Sequence, residues 1–203
     1  IPKYDIGSSG EYTQGAGAIA LLIKQNPRLL SFDEKVTSTI IKNEYDFYRP
    51  FGKETPLVNG LYSNLLYLIQ VRKALETYKE KAIKSGIIKV GKDESVIDHI
   101  DYISVHLPYR RMGEKALAYL LRHEWRHLPR WESIISEIGT EEPVPKDPRG
   151  TIESILADTE FMKADEKFRR EFMKTSYYKE VYDSKMSSSL QASAVIGNLY
   201  TAS

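Results

Sequence analysis

Tyr102-Ile103-Ser104-Val105-His106-Leu107-Pro108-Tyr109-Arg110-Arg111-Met112 is the stretch on which the fold turns. Ile103, Val105 and Leu107 alternate with Ser104 and His106, the period of a half-buried strand, and Pro108 stops it. Beyond the proline the period changes. Met112, Leu117, Leu120, Leu121 and Trp125 predict a helix over 111–126. A strand that runs into a helix points to an α/β chain.

The flanking sequence repeats that alternation of periods. Leu61, Leu65, Leu68, Ile69, Val71 and Leu75 form an apolar stripe that predicts a helix over 57–84. It ends in Lys79, Lys81 and Lys84, with Gly86 just beyond, as a helix C-terminus prefers. Further upstream, the run Ile19-Ala20-Leu21-Leu22-Ile23 follows small residues and suits a strand buried on both faces. Residues 28–33 and 36–42 have strand-like spacing, and 97–100 reads as a short helix or turn. Downstream, Pro143, Pro145 and Pro148 mark a loop, and 151–186 carries apolar residues at helical spacing.

Composition narrows the class. Charged residues make up 28% and hydrophobic residues 41% of 203, a globular balance. The 29 Lys+Arg against 28 Asp+Glu leave a net charge of +1, without the bulk excess of cations that nucleic-acid binding draws on. No apolar run approaches the roughly 18 residues of a membrane span. With zero cysteines, the 203 residues contain no disulfide, thiolate metal site or cysteine nucleophile, which fits a cytoplasmic protein.

Four features carry chemistry. His123-Glu124-Trp125-Arg126-His127 fits the H-E-x-x-H zinc template, in which two His share a helical face and Glu acts as base. Arg122 and Arg126 beside it disfavour a dication, and Pro129 cuts the helix where a third ligand would need it to continue. Arg110, Arg111 and Lys115 form one basic cluster, and Arg122, Arg126 and Arg130 another. Either is a solvated helix face or a phosphate patch, and Arg111 and Lys115 stand at i, i+4. His106 ends its strand at the carboxyl side, where α/β sheets gather ligands. Asp46 among aromatics and Asn198 after Gly197 each need a hydrogen-bond partner or a ligand.

Five blocks in order carry a resemblance. They are Thr13-Gln14-Gly15-Ala16-Gly17-Ala18-Ile19-Ala20, Tyr45-Asp46-Phe47-Tyr48-Arg49-Pro50, Asn59-Gly60-Leu61-Tyr62-Ser63, Val105-His106-Leu107-Pro108-Tyr109-Arg110-Arg111-Met112, and Ile196-Gly197-Asn198-Leu199-Tyr200-Thr201-Ala202-Ser203. Together they resemble the hydroxymethylglutaryl-CoA synthases of the thiolase superfamily. The resemblance implies a thiolase-like layered α-β-α-β-α fold, partial here, with a helical insertion around 122–187. It implies that 1–56 end the first thiolase-type half and that 57–203 belong to the second.

It also implies the roles. His106 would be the catalytic histidine. Asn198, Asp46 and Phe47 would belong to the acyl pocket. Thr13, Ser63, Arg111 and Lys115 would contact CoA, with Arg111 in place of a family lysine; Ser9 departs from a family asparagine. The substrates would be acetyl-CoA and acetoacetyl-CoA, with no cofactor and no metal. The family's cysteine and glutamate lie upstream of the first block. The expectation is therefore an internal portion, inactive alone, completed by a companion segment and dimeric as the whole enzyme. The alternatives are a carrier-protein-dependent β-branching synthase, a zinc hydrolase and a noncatalytic scaffold subunit.

Overall fold

A computed structural model of the chain describes residues 4–8, 11 and 18–197. Among these residues the architecture is mostly helical, with one two-stranded sheet. Strands β1 (Phe47–Tyr48) and β2 (Leu57–Val58) pair antiparallel, Phe47 opposite Val58 and Tyr48 opposite Leu57. Seven α-helices follow: α1 (Gly60–Lys84), α2 (Arg110–Trp125), α3 (Arg130–Ile138), α4 (Ile152–Ala157), α5 (Thr159–Phe172), α6 (Ser176–Val181) and α7 (Gln191–Ile196).

Helix α1 forms over most of the predicted range, but Leu57 and Val58 pair into β2 and the helix starts only at Gly60. The Asn59 side chain caps it by accepting the Tyr62 N–H at 3.3 Å. At the other end Gly86 takes φ +74°, a left-handed turn that L side chains rarely adopt. Its N–H reaches the Ile83 carbonyl, and the Ile87 N–H reaches Ala82, so two orphan carbonyls are satisfied.

Helix α2 is the centre of the core. Met112, Ala116, Leu117, Leu121 and Trp125 are all at most 1% exposed. It packs against α1 on one side and α5 on another. Gly113 permits the closest approach: a Cβ there would lie 2.8 Å from Leu107 Cδ2 and 2.9 Å from Leu190 Cδ2. The region expected as a helical insertion adds an aromatic group to the same core. Phe172 meets Tyr178, Trp131 and Trp125 at ring separations of 5.8, 5.9 and 6.3 Å. Thr151, Asp158 and Thr175 cap α4, α5 and α6, dividing 151–186 into three short rods. A single π-helical turn, Tyr182–Met186, then leads into a 3-10 turn, Ser187–Leu190.

The expected strands differ from what forms. Residues 19–23, 28–33, 36–42 and 102–107 carry no β-ladder; the second and third of these segments flank a 3-10 turn, Glu34–Val36. The layered α-β-α-β-α arrangement is therefore not developed among the described residues. For 102–107 the reason is visible in its hydrogen bonds. The Ile103 N–H donates to the Lys185 carbonyl at 2.8 Å, Ser189 Oγ donates to the Ile103 carbonyl at 2.9 Å, and Tyr67 takes the His106 carbonyl. The backbone is extended, and Ile103, Val105 and Leu107 do face inward, but helices and turns satisfy its polar groups. Residues 19–23 differ more. Ile19, Leu21, Leu22 and Ile23 are exposed rather than buried on two faces. No helix among the described residues is long and apolar enough to cross a membrane.

Candidate functional site

The start of α1 organises the site. The Asn59 N–H donates to the Asp46 carbonyl at 2.8 Å, which ties the residue before β1 to the residue before α1. Asp46 and Phe47 are thus held beside the first turn of the helix. Ser63, in that turn, donates its N–H to the Asn59 carbonyl and is half-buried. Tyr62 donates its phenol to Glu44 at 2.7 Å, and that bond holds the phenol protonated, its pKa pushed up to about 12. Lys42, paired with Glu44, and the Tyr62 phenol hold the Glu44 carboxyl below the usual range.

One turn after Ser63, Tyr67 reaches across to α2. Its phenol donates to the His106 backbone carbonyl at 2.7 Å. Its ring packs with Tyr109 and Tyr119 against Leu68, Met112 and Ala116, where α1 meets α2. The His106 side chain is exposed, while Leu107 behind it is 2% exposed. Tyr67 on α1 therefore ties that helix to the backbone of His106 on the approach to α2.

The two basic clusters have opposite fates. Arg122 is buried and donates to Glu142 at 2.8 Å and Asp165 at 2.7 Å, with its guanidinium over the Phe168 ring. Arg126 shares Glu142, and Arg130 forks onto both oxygens of Asp98. That cluster is consumed by the fold. At the start of α2 only part of the charge is met. Tyr109, the N-cap, gives no side-chain cap to the helix. Arg110 reaches Glu114 at 3.5 Å and Lys115 donates to the Tyr109 hydroxyl at 3.0 Å. Arg111 is exposed with no ion-pair partner among the described residues. Cations in the first helical turn oppose the macrodipole, whereas an anion there would satisfy both the charges and the uncapped N–H groups.

The H-E-x-x-H side chains diverge. His123 Nε2 lies 2.9 Å from Glu76 on α1, and burial, with Arg72 nearby, lowers its pKa. The Glu124 carboxylate is buried, pairs with Lys79 and accepts the Val96 N–H at 3.4 Å. His127 is exposed on the turn after α2. Among the described residues no three His, Asp or Glu groups converge as a metal site would require.

Phe47 lines an open groove of about 1070 Å³ with Tyr4, Ile6, Tyr48, Arg49 and Lys53; His106, Ser63 and Arg111 are not among its lining residues. Thr13 and Asn198 lie outside the described residues, so the structure relates Asp46, Phe47, Ser63, His106, Arg111 and Lys115 only. Tyr67 is the participant that the sequence reading passes over. Its signal is a phenol four residues after Ser63, on the same face of the predicted helix.

A solved structure of MvaS in complex with 3-hydroxy-3-methylglutaryl coenzyme A matches with TM-score 0.68 and 28% identity, over 100% of this chain and 40% of that one. The fold is thus that of part of a thiolase-superfamily enzyme. The family model for the hydroxymethylglutaryl-coenzyme A synthase C terminal matches residues 30–203. The chain belongs to the hydroxymethylglutaryl-CoA synthase family. It is 32% identical to the Haloferax volcanii hydroxymethylglutaryl-CoA synthase, over 98% of this chain and 40% of the relative. It is 35% identical to the Enterococcus faecalis enzyme over 58% of this chain and 27% of that protein. The yeast enzyme, from Saccharomyces cerevisiae, is 28% identical over 100% of this chain and 38% of its own length. The chain therefore spans well under half the length of these relatives.

Proposed function

We propose that this chain is the histidine-bearing, CoA-facing portion of a synthase that condenses acetyl-CoA with acetoacetyl-CoA to give 3-hydroxy-3-methylglutaryl-CoA. The observation that carries this reading is the open cationic start of α2 directly after an exposed His106 whose backbone is clamped. The proposed sequence begins on a cysteine outside these 203 residues, since the chain has none. That cysteine takes the acetyl group and releases CoA. A glutamate, also outside, removes a methyl proton, and the enolate carbon bonds to the ketone carbon of acetoacetyl-CoA. His106 bonds the ketone oxygen and stabilises the charge that develops there. Water then cleaves the thioester to cysteine and frees the product.

Arg111 and Lys115 bind CoA phosphates in this reading, with Ser63 and Thr13 as further contacts. Arg111 supplies a forked donor where the family has a lysine. Asp46 and Phe47 order the acyl pocket, and Asn198 lines it. The halves meet near residues 56–57. The segments expected as strands at 19–23, 28–33, 36–42 and 102–107 pair into sheet layers only against the companion segment that brings the cysteine, and the whole enzyme is a cytoplasmic homodimer.

The test is twofold. The purified chain alone, given acetyl-CoA, gains no acetyl group by intact mass spectrometry. Joined to the cysteine-bearing segment it produces 3-hydroxy-3-methylglutaryl-CoA, and His106→Ala abolishes this. Condensation by the isolated chain would overturn the reading. So would binding to an acylated carrier protein with no binding of CoA thioesters.

A further inference from the structure

We propose that Tyr67 is a positioning residue for His106: its phenol, carried on α1, fixes the backbone of the residue whose imidazole meets the substrate oxygen. This rests on the assignment of His106 made above. The imidazole of His106 is exposed and has no hydrogen-bond partner among the described residues. Nothing in the side chain's own surroundings sets its direction, so the direction has to come from the main chain.

That main chain is held at three points. Ile103 is bonded on both its N–H and its carbonyl, to Lys185 and Ser189. Leu107 is buried in the contact with Gly113 and Leu190. Between these anchors the His106 carbonyl accepts one side-chain bond, from Tyr67 at 2.7 Å, a favourable O–H···O length. Pro108 contributes no N–H, and it biases Leu107 towards extended backbone, but it does not fix the peptide plane at His106.

Tyr67 is suited to the task. Its ring is wedged among Leu68, Met112 and Ala116, so the hydroxyl projects from a packed platform rather than a free arm. Burial pushes the phenol up to about 12, so it remains a donor at any ordinary working pH. It stands one turn from Ser63 on the same face of α1. The helix that presents a CoA contact therefore also aims the histidine.

The test uses the assembled synthase, this chain with its cysteine-bearing segment. Tyr67→Phe keeps the ring and removes one hydroxyl. The expected result is a fall in kcat of about 3- to 10-fold, the worth of one hydrogen bond, with KM for the CoA thioesters unchanged. The backbone amide of Leu107 gains mobility in nitrogen relaxation, and the His106 ring signals broaden. Tyr119→Phe, in the same apolar cluster, leaves kcat and these signals as they were. If Tyr67→Phe is silent in both readouts while His106→Ala abolishes activity, the positioning role falls alone. Equal kcat losses in the Tyr67 and Tyr119 variants would also overturn it, as a packing effect. If His106→Ala keeps full kcat, the assignment of His106 falls and the proposal falls with it.

Discussion

Lys79 Nζ lies 2.9 Å from Glu124 Oε2, joining the C-terminal part of α1 to the last turn of α2. The glutamate side chain is only 2% exposed and the lysine 35%, so this is a pair with one end in the core. It accounts for the one residue of the H-E-x-x-H pattern that would have to act as a base. A carboxylate already neutralised in the interior is a structural strut.

Lys79→Met should therefore destabilise the chain by about 2–3 kcal/mol, less than a fully buried pair because the lysine is partly wet. Glu124→Leu combined with Lys79→Met should recover part of that loss, since both charges leave together. Urea unfolding followed by circular dichroism measures both. The zinc reading predicts instead that a chelator lowers the midpoint of the wild type, and no such shift is expected.

Arg122 should be the most sensitive surface-distal charge in the chain. Its removal strands Asp165, leaves Glu142 to Arg126 alone and uncovers Phe168. Arg122→Ala should lower stability by about 3–5 kcal/mol. Arg122→Lys should retain only some of it, because an ammonium keeps the charge but lacks the planar fork that reaches Glu142 and Asp165 while covering Phe168. Thermal unfolding of the two variants ranks them.

Gly113→Ala sets two effects against each other. Alanine gains about 1 kcal/mol of helix propensity, whereas overpacking against Leu107 and Leu190 costs about 1–3 kcal/mol. The net expectation is a loss of about 1 kcal/mol. The displaced Leu107 should shift the neighbouring His106 amide resonance, which a two-dimensional NMR spectrum reads directly.

Asp158 supplies a pH dependence. The Lys146 and Phe161 N–H groups donate to its carboxylate, and together they hold its pKa below the ordinary aspartate value. A carboxyl depressed in the folded state adds stability above its unfolded pKa of about 3.9 and loses it as pH falls through the folded value. Acid unfolding of the wild type should therefore steepen below about pH 4. Asp158→Asn keeps an N-cap for α5 but should flatten that limb, as circular dichroism against pH would show.

Arg111→Ala should weaken binding of a CoA thioester by about 10-fold, the worth of one charge-assisted hydrogen bond, and reduce its salt dependence. Arg126→Ala, whose partner is Glu142, should leave that affinity unchanged. Calorimetric titration of the assembled synthase at two salt concentrations separates them.

Helices were legible where local chemistry decides them. The Leu61–Leu75 stripe, Lys84 and Gly86 mark the body and end of α1 without reference to anything distant, whereas its start at Asn59 was not read. The pattern over 102–107 correctly sorts inward from outward residues. It does not reveal that Lys185, Ser189 and Tyr67 satisfy the backbone, because period 2 reports faces and not partners. The two basic clusters make the same point at the site. Arg111 and Arg122 look alike in sequence, and only the arrival of Glu142 and Asp165 from later segments tells them apart. The ordered blocks single out His106 as a candidate, whereas the hydroxyl holding its carbonyl comes from 39 residues away.

The π turn at Tyr182–Met186 also sets a register. There the ring closes one residue later than in an α-helix, the Ser187 N–H reaching back to Tyr182. Deleting a single residue from it would restore ordinary winding and turn everything beyond by about 100°. Leu190 would swing off Gly113, and Ser189 off Ile103. One surplus residue thus keeps the C-terminal helices in phase with the strand-like segment that carries His106, and length there is less negotiable than identity.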